Sequence, residues 1–400
     1  MNVQAPGDEG SHNISVAIIE PVGGHGGMHY YDFGLCRGLL SAGCRVSLYT
    51  CDKTPAPDIP GLTFFPFYRE IYGKGKRWLR GLRFVRGTFA SIRHAVNSGV
   101  TICHFHAFNH FATDFAVIVI ARLFGRRVVV TVHDVDSLAR SEVRGSRLTK
   151  WLYGLADRVI VHNKVSALEL ERIGLHPDKI AIIAHGHYLK SVRELPVMQK
   201  ARHALRIELS AKVILFFGQI KHSKGLDLLI ETIPQLAHAI PEIVVVIAGR
   251  PWKADFAHYD ALIDHLNVRD YCHLRTSFIP DEEVAGFYAA ADLVVLPYRR
   301  IYQSGVLLMA MTFGRPAVVS DLPGMSEIVT DSVNGYVFKN GSKDELAKVL
   351  IRALRDDSGR RQVVTRASDY IRQHHDWNHI GARTLDVYRK VLWERGTPPI

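Results

Sequence analysis

The sequence is short of several features that would set its class at once. Its 400 residues include five cysteines, at 36, 44, 51, 103 and 272, with no CxxC pair. An odd number in mostly apolar surroundings argues against a disulfide framework and fits buried thiols in a reducing compartment. No apolar run reaches the ~18 residues that a membrane span needs; FAVIVIARLFG is interrupted by Arg122. The start, MNVQAPGDEGSHN, lacks a basic n-region and an apolar h-region, so no signal peptide is expected. These absences together predict a soluble, cytoplasmic protein. No GxxxxGK[ST] occurs, which argues against P-loop nucleotide hydrolysis. The most informative absence is local. LVVLPYRRIYQSGVLLMAMTFGRPAVVSD, residues 293–321, reads strand, loop, helix, strand, and its loop and helix contain no Asp or Glu. Turns at such helix starts commonly hold phosphate.

What is present describes a globular chain. Hydrophobic residues make up 47% and mean hydropathy is +0.02, and the length favours two domains over one. Apolar runs alternate with helical periodicity throughout. In the first half they are 14–20, 44–50, 101–106, 127–133, 157–162 and 179–185. In the second half they are 212–218, 242–249, 271–277, 292–297 and 316–321. Continuous Val/Ile runs between helices indicate parallel sheets buried on both faces. The fold class is therefore α/β, with two Rossmann-like doubly wound domains facing a cleft. The domains are expected at 1–190 and 212–375, joined by a linker at 191–211 within the charged stretch 186–211. A last segment, 376–400, is expected to pack back on the first domain. Ligands of such folds bind beyond the carboxyl ends of the strands.

Net charge is +11. Residues 69–94 alone hold eight Lys/Arg against one Glu. On a helix, Trp78, Leu82, Val85, Phe89 and Ile92 share one face, and Lys76, Arg80 and Arg83 fall opposite. Three readings stand: a core-packed helix with a solvated basic back, a contact with an anionic membrane surface, or nucleic-acid binding. No nucleic-acid motif accompanies the charge, so nucleic acid is the weakest.

After the first strand, PVGGHGGMHYYD supplies Gly23, Gly24, Gly26 and Gly27, which let backbone approach a ligand closely before a helix start. The third glycine of a dinucleotide fingerprint is missing. After 127–133 comes HDVDSLAR, whose His133 and Asp134 would project into the cleft to orient or bind a sugar. Asp134 and Asp136 can alternatively hold a divalent metal, or Asp136 or Ser137 can cap a helix. The pairs His104/His106 and His185/His187 have no partner at metal-ligand spacing and are cleft or packing histidines. In the second half, Gly218 ends a strand, and Lys221 and Lys224 stand at a helix start, where they suit phosphate charge, or form a plain surface pair. Ser304, Gly305 and Val306 can present backbone N–H groups opposite them.

FFGQIKHSKGLDLLIETI, VVVIAGRP, SFIPDEEVAGFYAAADLVVLP, AMTFGRPAVVSDLPGMSEIVTDSVNGYVF and WNHIGARTLDVY together resemble the GT-B glycosyltransferases of family 4. The resemblance spans nearly the whole chain and is strongest over 215–340. It implies an acceptor-binding first domain and a second domain holding a nucleotide sugar, UDP- or GDP-linked. It also implies hexosyl transfer with retention at the anomeric carbon, the glycine loop lying against the donor diphosphate. The family's basic pair after the strand-ending glycine would meet the same diphosphate; here, after Gly218, Gln219 stands where the family has Arg, Lys224 is retained, and Lys221 is the candidate substitute. Glu327 matches a further family position. The family's two glutamates around the donor helix are replaced by Ile301 and Met309, so Gln303 and Ser304 are the candidates for sugar and ribose hydroxyls. His133, Asp134 and Lys224 are then the candidate catalytic residues, with no metal and no cofactor beyond the nucleotide sugar. The expected acceptor is a glycan, lipid-linked at the inner membrane face, in bacterial exopolysaccharide or lipopolysaccharide synthesis. A non-catalytic sugar-nucleotide binder and a sugar-nucleotide epimerase on the same fold remain alternatives. An NAD oxidoreductase is disfavoured for want of the full glycine spacing and a ribose acid.

Overall fold

The structure, a computed structural model, describes residues 14–25, 28–73, 75–107, 111–133, 146–188 and 195–394. The first stretch of chain runs β1 (Ser15–Glu20), α1 (His29–Ser41), β2 (Arg45–Cys51), β3 (Thr63–Tyr68), α2 (Arg77–Asn97), β4 (Ile102–Ala107) and α3 (Phe111–Leu123). It continues through β5 (Arg127–Val132), α4 (Ser146–Gly154), β6 (Arg158–Val161), α5 (Lys164–Arg172) and β7 (Ile180–Ile182). Next come α6 (Met198–Ala204), β8 (Lys212–Phe217), α7 (Leu226–Ala239), β9 (Ile243–Ala248), α8 (Ala257–His265), β10 (Cys272–Arg275) and α9 (Asp281–Ala290). The chain closes with β11 (Leu293–Leu296), α10 (Gly305–Thr312), β12 (Ala317–Ser320), α11 (Pro323–Ser326), β13 (Tyr336–Phe338), α12 (Lys343–Arg355), α13 (Asp357–His374) and α14 (Trp377–Trp393).

Two units result, one of residues 1–186 with 375–400, the other of 187–374. The first holds a seven-stranded parallel sheet in the order β3-β2-β1-β4-β5-β6-β7, the second a six-stranded parallel sheet ordered β10-β9-β8-β11-β12-β13. Each is doubly wound. The strands are apolar on both faces because helices cover both faces, and β1, β4, β9 and β11 are buried almost throughout. In the second unit the strand order reverses between β8 and β11, which places a crevice at the loops leaving those two strands.

Two sequence expectations change here. The stretch 191–211, read as a linker, contributes α6 to the second unit. Arg202, buried, donates to the carbonyls of Leu209, Ala211 and Ala290 and to Asp292. The charge that suggested a tether is satisfied inside a fold. The second change concerns α2, which packs by a different face. Its buried positions are the small residues Gly87, Thr88, Ser91 and Ala95, together with Ile92. A Cβ at Gly87 would come within 2.9 Å of the Tyr68 ring on β3, so the helix lies too close to the sheet for bulky side chains. Trp78, Leu82, Val85 and Phe89 remain 64%, 60%, 45% and 49% exposed. A solvated basic back with a covered apolar face is thus not what forms. Among the described residues, no helix is long and apolar enough to cross a membrane.

Candidate functional site

The second unit assembles its candidate site at the switch point. Gly225 sits between the turn His222–Lys224 and α7 at φ +65°, and a Cβ there would meet the carbonyl oxygen of Pro297 at 1.9 Å. The loop leaving β8 is therefore pressed onto the loop leaving β11, and the Arg299 N–H donates to the Ser223 carbonyl at 2.9 Å. Arg299 also pairs with Asp227 at 2.5 Å. That carboxylate is neutralised, so the crevice keeps the cationic character of Lys221 and Lys224.

Both lysines lie on aromatic rings, Lys224 Nζ 3.7 Å from the centre of Tyr298 and Lys221 Nζ 4.4 Å from that of Trp252. Such contacts contribute about 0.5–1 kcal/mol at exposed sites and fix where a flexible ammonium sits. Ser304 is buried and caps α10, its Oγ accepting the Leu307 N–H at 3.2 Å. The hydroxyl expected to read a sugar is thus engaged as an acceptor, while the first N–H groups of α10, on Gly305 and Val306, have no intrahelical acceptor. A Cβ on Gly305 would lie 2.8 Å from the Tyr188 hydroxyl, and one on Gly218 would lie 3.3 Å from Val306.

Gly218, Lys221, Lys224, Ser304, Gly305 and Val306 are therefore brought together within one unit, with Gln219 and Gln303 on the same two loops. Ile301 and Met309 pack on the apolar core. Glu327 is exposed after α11 and belongs to the helix end, its N–H donating to the Pro323 carbonyl. Sequence reading missed Tyr188, Trp252, Tyr298 and Arg299, although PYRR and RPW directly follow strand runs and carried a usable signal.

The first unit gathers its chemistry at the carboxyl ends of its own strands. Gly23 (φ +45°) and Gly24 turn inward against Thr50 and Thr54; the Gly24 N–H donates to Thr54 Oγ1 at 3.0 Å. The N–H groups of Val22 and Gly23 go to Glu20. Gly26 and Gly27, Asp134, Asp136 and Ser137 lie outside the described residues.

His133 does not project outward. It is buried at the end of β5, with ring centres 4.9 Å from Tyr31, 5.2 Å from His106 and 5.0 Å from His162. Tyr31 likewise contacts His185 and Trp377. Strand β4 sends His104 and His106 to this cluster, and the chain just beyond β5, β6 and β7 sends His133, His162 and His185, which is why no local motif revealed it. Burial, then neighbouring histidines, holds His106 and His133 well below the usual imidazole range. Burial likewise brings His162 down to about 4, and His104 and His185 to about 3. These are neutral packing groups at neutral pH. His104 is fixed between Tyr388 at 2.6 Å and Thr131 at 2.7 Å. Among the described residues no group of three or more His, Cys, Asp or Glu is arranged to hold a metal ion.

Known proteins match this arrangement. The family model described as Glycosyltransferase Family 4 matches residues 25–189, and Glycosyl transferases group 1 matches 197–370. Together they span the chain apart from its ends and a short connection, and the chain belongs to the GT-B glycosyltransferases of family 4. A D-inositol 3-phosphate glycosyltransferase of Xylanimonas cellulosilytica is 25% identical over 93% of this chain and 94% of its own. An uncharacterized glycosyltransferase of Methanocaldococcus jannaschii is 30% identical over 48% of each chain. Among solved structures, sucrose-phosphate synthase from Thermosynechococcus elongatus has a TM-score of 0.77 at 19% identity, covering 95% of this chain and 99% of its own. Anabaena HepE in complex with UDP-glucose has a TM-score of 0.74 at 17% identity, covering 94% of this chain and 100% of its own. The protein is thus a glycosyltransferase, with the fold of those structures.

Proposed function

We propose that the protein transfers a hexose from a UDP- or GDP-linked sugar to a lipid-linked glycan acceptor, with retention at the anomeric carbon. The carrying observation is the cationic crevice of the second unit. Two ring-held ammonium groups and the start of α10 meet there, with the Asp227 carboxylate already paired to Arg299. This suits a diphosphate that must leave as an anion, where fixed donors act more strongly than water. A structural neighbour was crystallised with UDP-glucose, which supports the donor class. In the same-face route, the leaving diphosphate takes the acceptor proton, and the protein supplies position and charge. Loss of the two family glutamates at Ile301 and Met309 is compatible with that division of labour. The donor is tested by thermal shift with UDP, GDP and their sugar conjugates. A ligand at a hundredfold its dissociation constant stabilises by about 2.7 kcal/mol, or roughly 2–4 °C per kcal/mol for such a domain. Absence of any shift would favour a chain that has lost its donor.

The lipid-linked acceptor rests on α2. Four large apolar side chains on an exposed helix face, flanked by Arg77, Arg86 and Arg93, suit the interface of an anionic bilayer. Arg80 and Arg83 are less available, because they donate to the carbonyls of Gly73 and Glu70. We expect co-sedimentation with phosphatidylglycerol vesicles but not with phosphatidylcholine ones, lost in Trp78→Ser/Leu82→Ser/Phe89→Ser at unchanged thermal stability. Equal binding by that variant removes the membrane. A second acceptor class, a small phosphorylated polyol, is favoured by relatives named D-inositol 3-phosphate glycosyltransferase. Donor turnover with inositol phosphate in the absence of lipid would select it.

A further inference from the structure

The second unit carries another cationic cleft, at the end of its sheet opposite the donor crevice. It is open and holds about 540 Å³, within the range of small-molecule sites. One wall is made by the turns that lead into β11 and β12, at Asp292 and at Gly314, Arg315 and Pro316. The other is the start of α13, from Asp357 to Thr365. Helix α10 begins at the crevice, with Gly305, and ends at Thr312, two residues before Gly314. The two sites are therefore separated by the length of that helix, on the order of 12 Å.

The carboxylates at the cleft are already engaged. Asp292 Oδ2 accepts from Arg202 at 2.9 Å and from the Val213 N–H at 2.7 Å. Asp357 accepts from Arg360 and lies 3.5 Å from Lys212 Nζ. Asp356, beside it, accepts from the Ser358 hydroxyl at 2.9 Å and the Gly359 N–H at 2.8 Å. Against these three stand five cations, Arg202, Lys212, Arg315, Arg360 and Arg361, so the cleft is net positive. Arg360 is committed to the end of α12, where it donates to the carbonyls of Ala353 and Leu354.

Arg315 and Arg361 have capacity left. Arg315 donates through one Nη to the Ala291 carbonyl at 3.1 Å, while its buried Nε has no acceptor among the described residues. Burial holds this guanidinium below its usual range, with Asp292 acting against it, and it stays charged at neutral pH. An oxyanion restores what burial has taken from it. The exposed guanidinium of Arg361 forms no ion pair or hydrogen bond among the described residues. Two planar forks across one cleft match the oxygens of a phosphate group. Pro316 and Val364 add apolar wall against which the carbon part of a ligand can rest.

We propose that this cleft is a second ligand site, separate from the donor crevice, which takes the phosphate group of a small molecule between Arg315 and Arg361. The test is calorimetric titration of the full chain with inorganic phosphate and with glycerol 3-phosphate, in a background of Lys221→Met/Lys224→Met that removes the ammonium groups of the crevice. That background should still bind one phosphate group per chain. Adding Arg361→Ala or Arg315→Met should weaken binding at least about tenfold each, the scale of one hydrogen bond to a charged group. Tighter binding of glycerol 3-phosphate assigns the site to a phosphorylated metabolite, and equal binding assigns it to phosphate itself; both support the site. A background that binds neither probe overturns the proposal. So does parental affinity in the Arg361→Ala chain, and that exposed position decides alone if Arg315→Met does not fold.

Discussion

Lys224 combines a charge with a rigid support, since the Tyr298 ring holds its ammonium 3.7 Å from the ring centre. A flexible side chain that is already placed loses little freedom when an anion arrives. Lys224→Met keeps much of the stem and removes the charge, so kcat/KM for the donor should fall about 10²-fold, the usual scale for deleting one oxyanion donor. Lys224→Arg should recover part of this, because the guanidinium keeps the charge and can stack on the Tyr298 ring, but its planar fork presents donors to the anion differently from a single ammonium. Nucleotide titration alongside thermal melting separates the effect from folding, and unchanged donor kinetics in Lys224→Met would remove Lys224 from the diphosphate. Residues found by position after a strand, such as Gly218 and Lys224, were legible in the sequence. Tyr298, Trp252 and Arg299 acquire their roles only because loops from β8, β9 and β11 converge. Those contacts join positions 31 to 76 residues apart, beyond the reach of local spacing.

The elements themselves were largely readable, because β1, β8 and β9 are continuous Val/Ile runs between helices. Strand β3 escaped notice because Pro66 lies within it; it pairs only with β2, at the sheet edge, where a missing N–H is tolerated. For α2, periodicity grouped Trp78, Leu82, Val85, Phe89 and Ile92 on one face; Ile92 is buried with the small residues while the other four are exposed, because periodicity carries no information on whether a face is covered. Packing between α1 and α14 is a different matter. A Cβ on Gly381 would lie 2.1 Å from the backbone of Gly38, and one on Gly38 would lie 2.1 Å from the Trp377 carbonyl oxygen. The two helices meet backbone to backbone, with Trp377 wedged beside Gly34 and Gly186. Gly381→Ala should improve helix propensity yet destabilise the first unit by about 1–3 kcal/mol, as overpacking does. Urea unfolding measures it, and a stabilised variant would mean that the helices can separate without penalty.

At the scale of the whole molecule, burial of so many imidazoles makes stability a function of pH. His104, His106, His133, His162 and His185 are all held below their ordinary range in the folded first unit. Once unfolded, each titrates near 6.5. As pH falls below 6.5, the unfolded chain takes up protons that the fold refuses, down to about 4 for His162 and about 3 for His104 and His185. Stability is therefore lost on acidification, by up to about 1.4 kcal/mol per pH unit for each proton. The buried carboxyls of Glu20, at the end of β1, and Asp32, in the first turn of α1, act in the opposite sense. With Glu20 raised by burial from 4.5 to about 7, and Asp32 raised as well, the folded chain binds protons there that the unfolded chain has already released, so it gains stability as pH falls through that window. Five imidazoles outweigh two carboxyls, and rising positive charge on a chain already at +11 adds self-repulsion. Urea midpoints at pH 7.5, 6.5 and 5.5 should fall steadily, and His133→Asn should flatten the slope by close to one proton. A flat profile would mean that the histidine cluster is hydrated and charged in the fold, and its packing around Tyr31 would then have to open in solution.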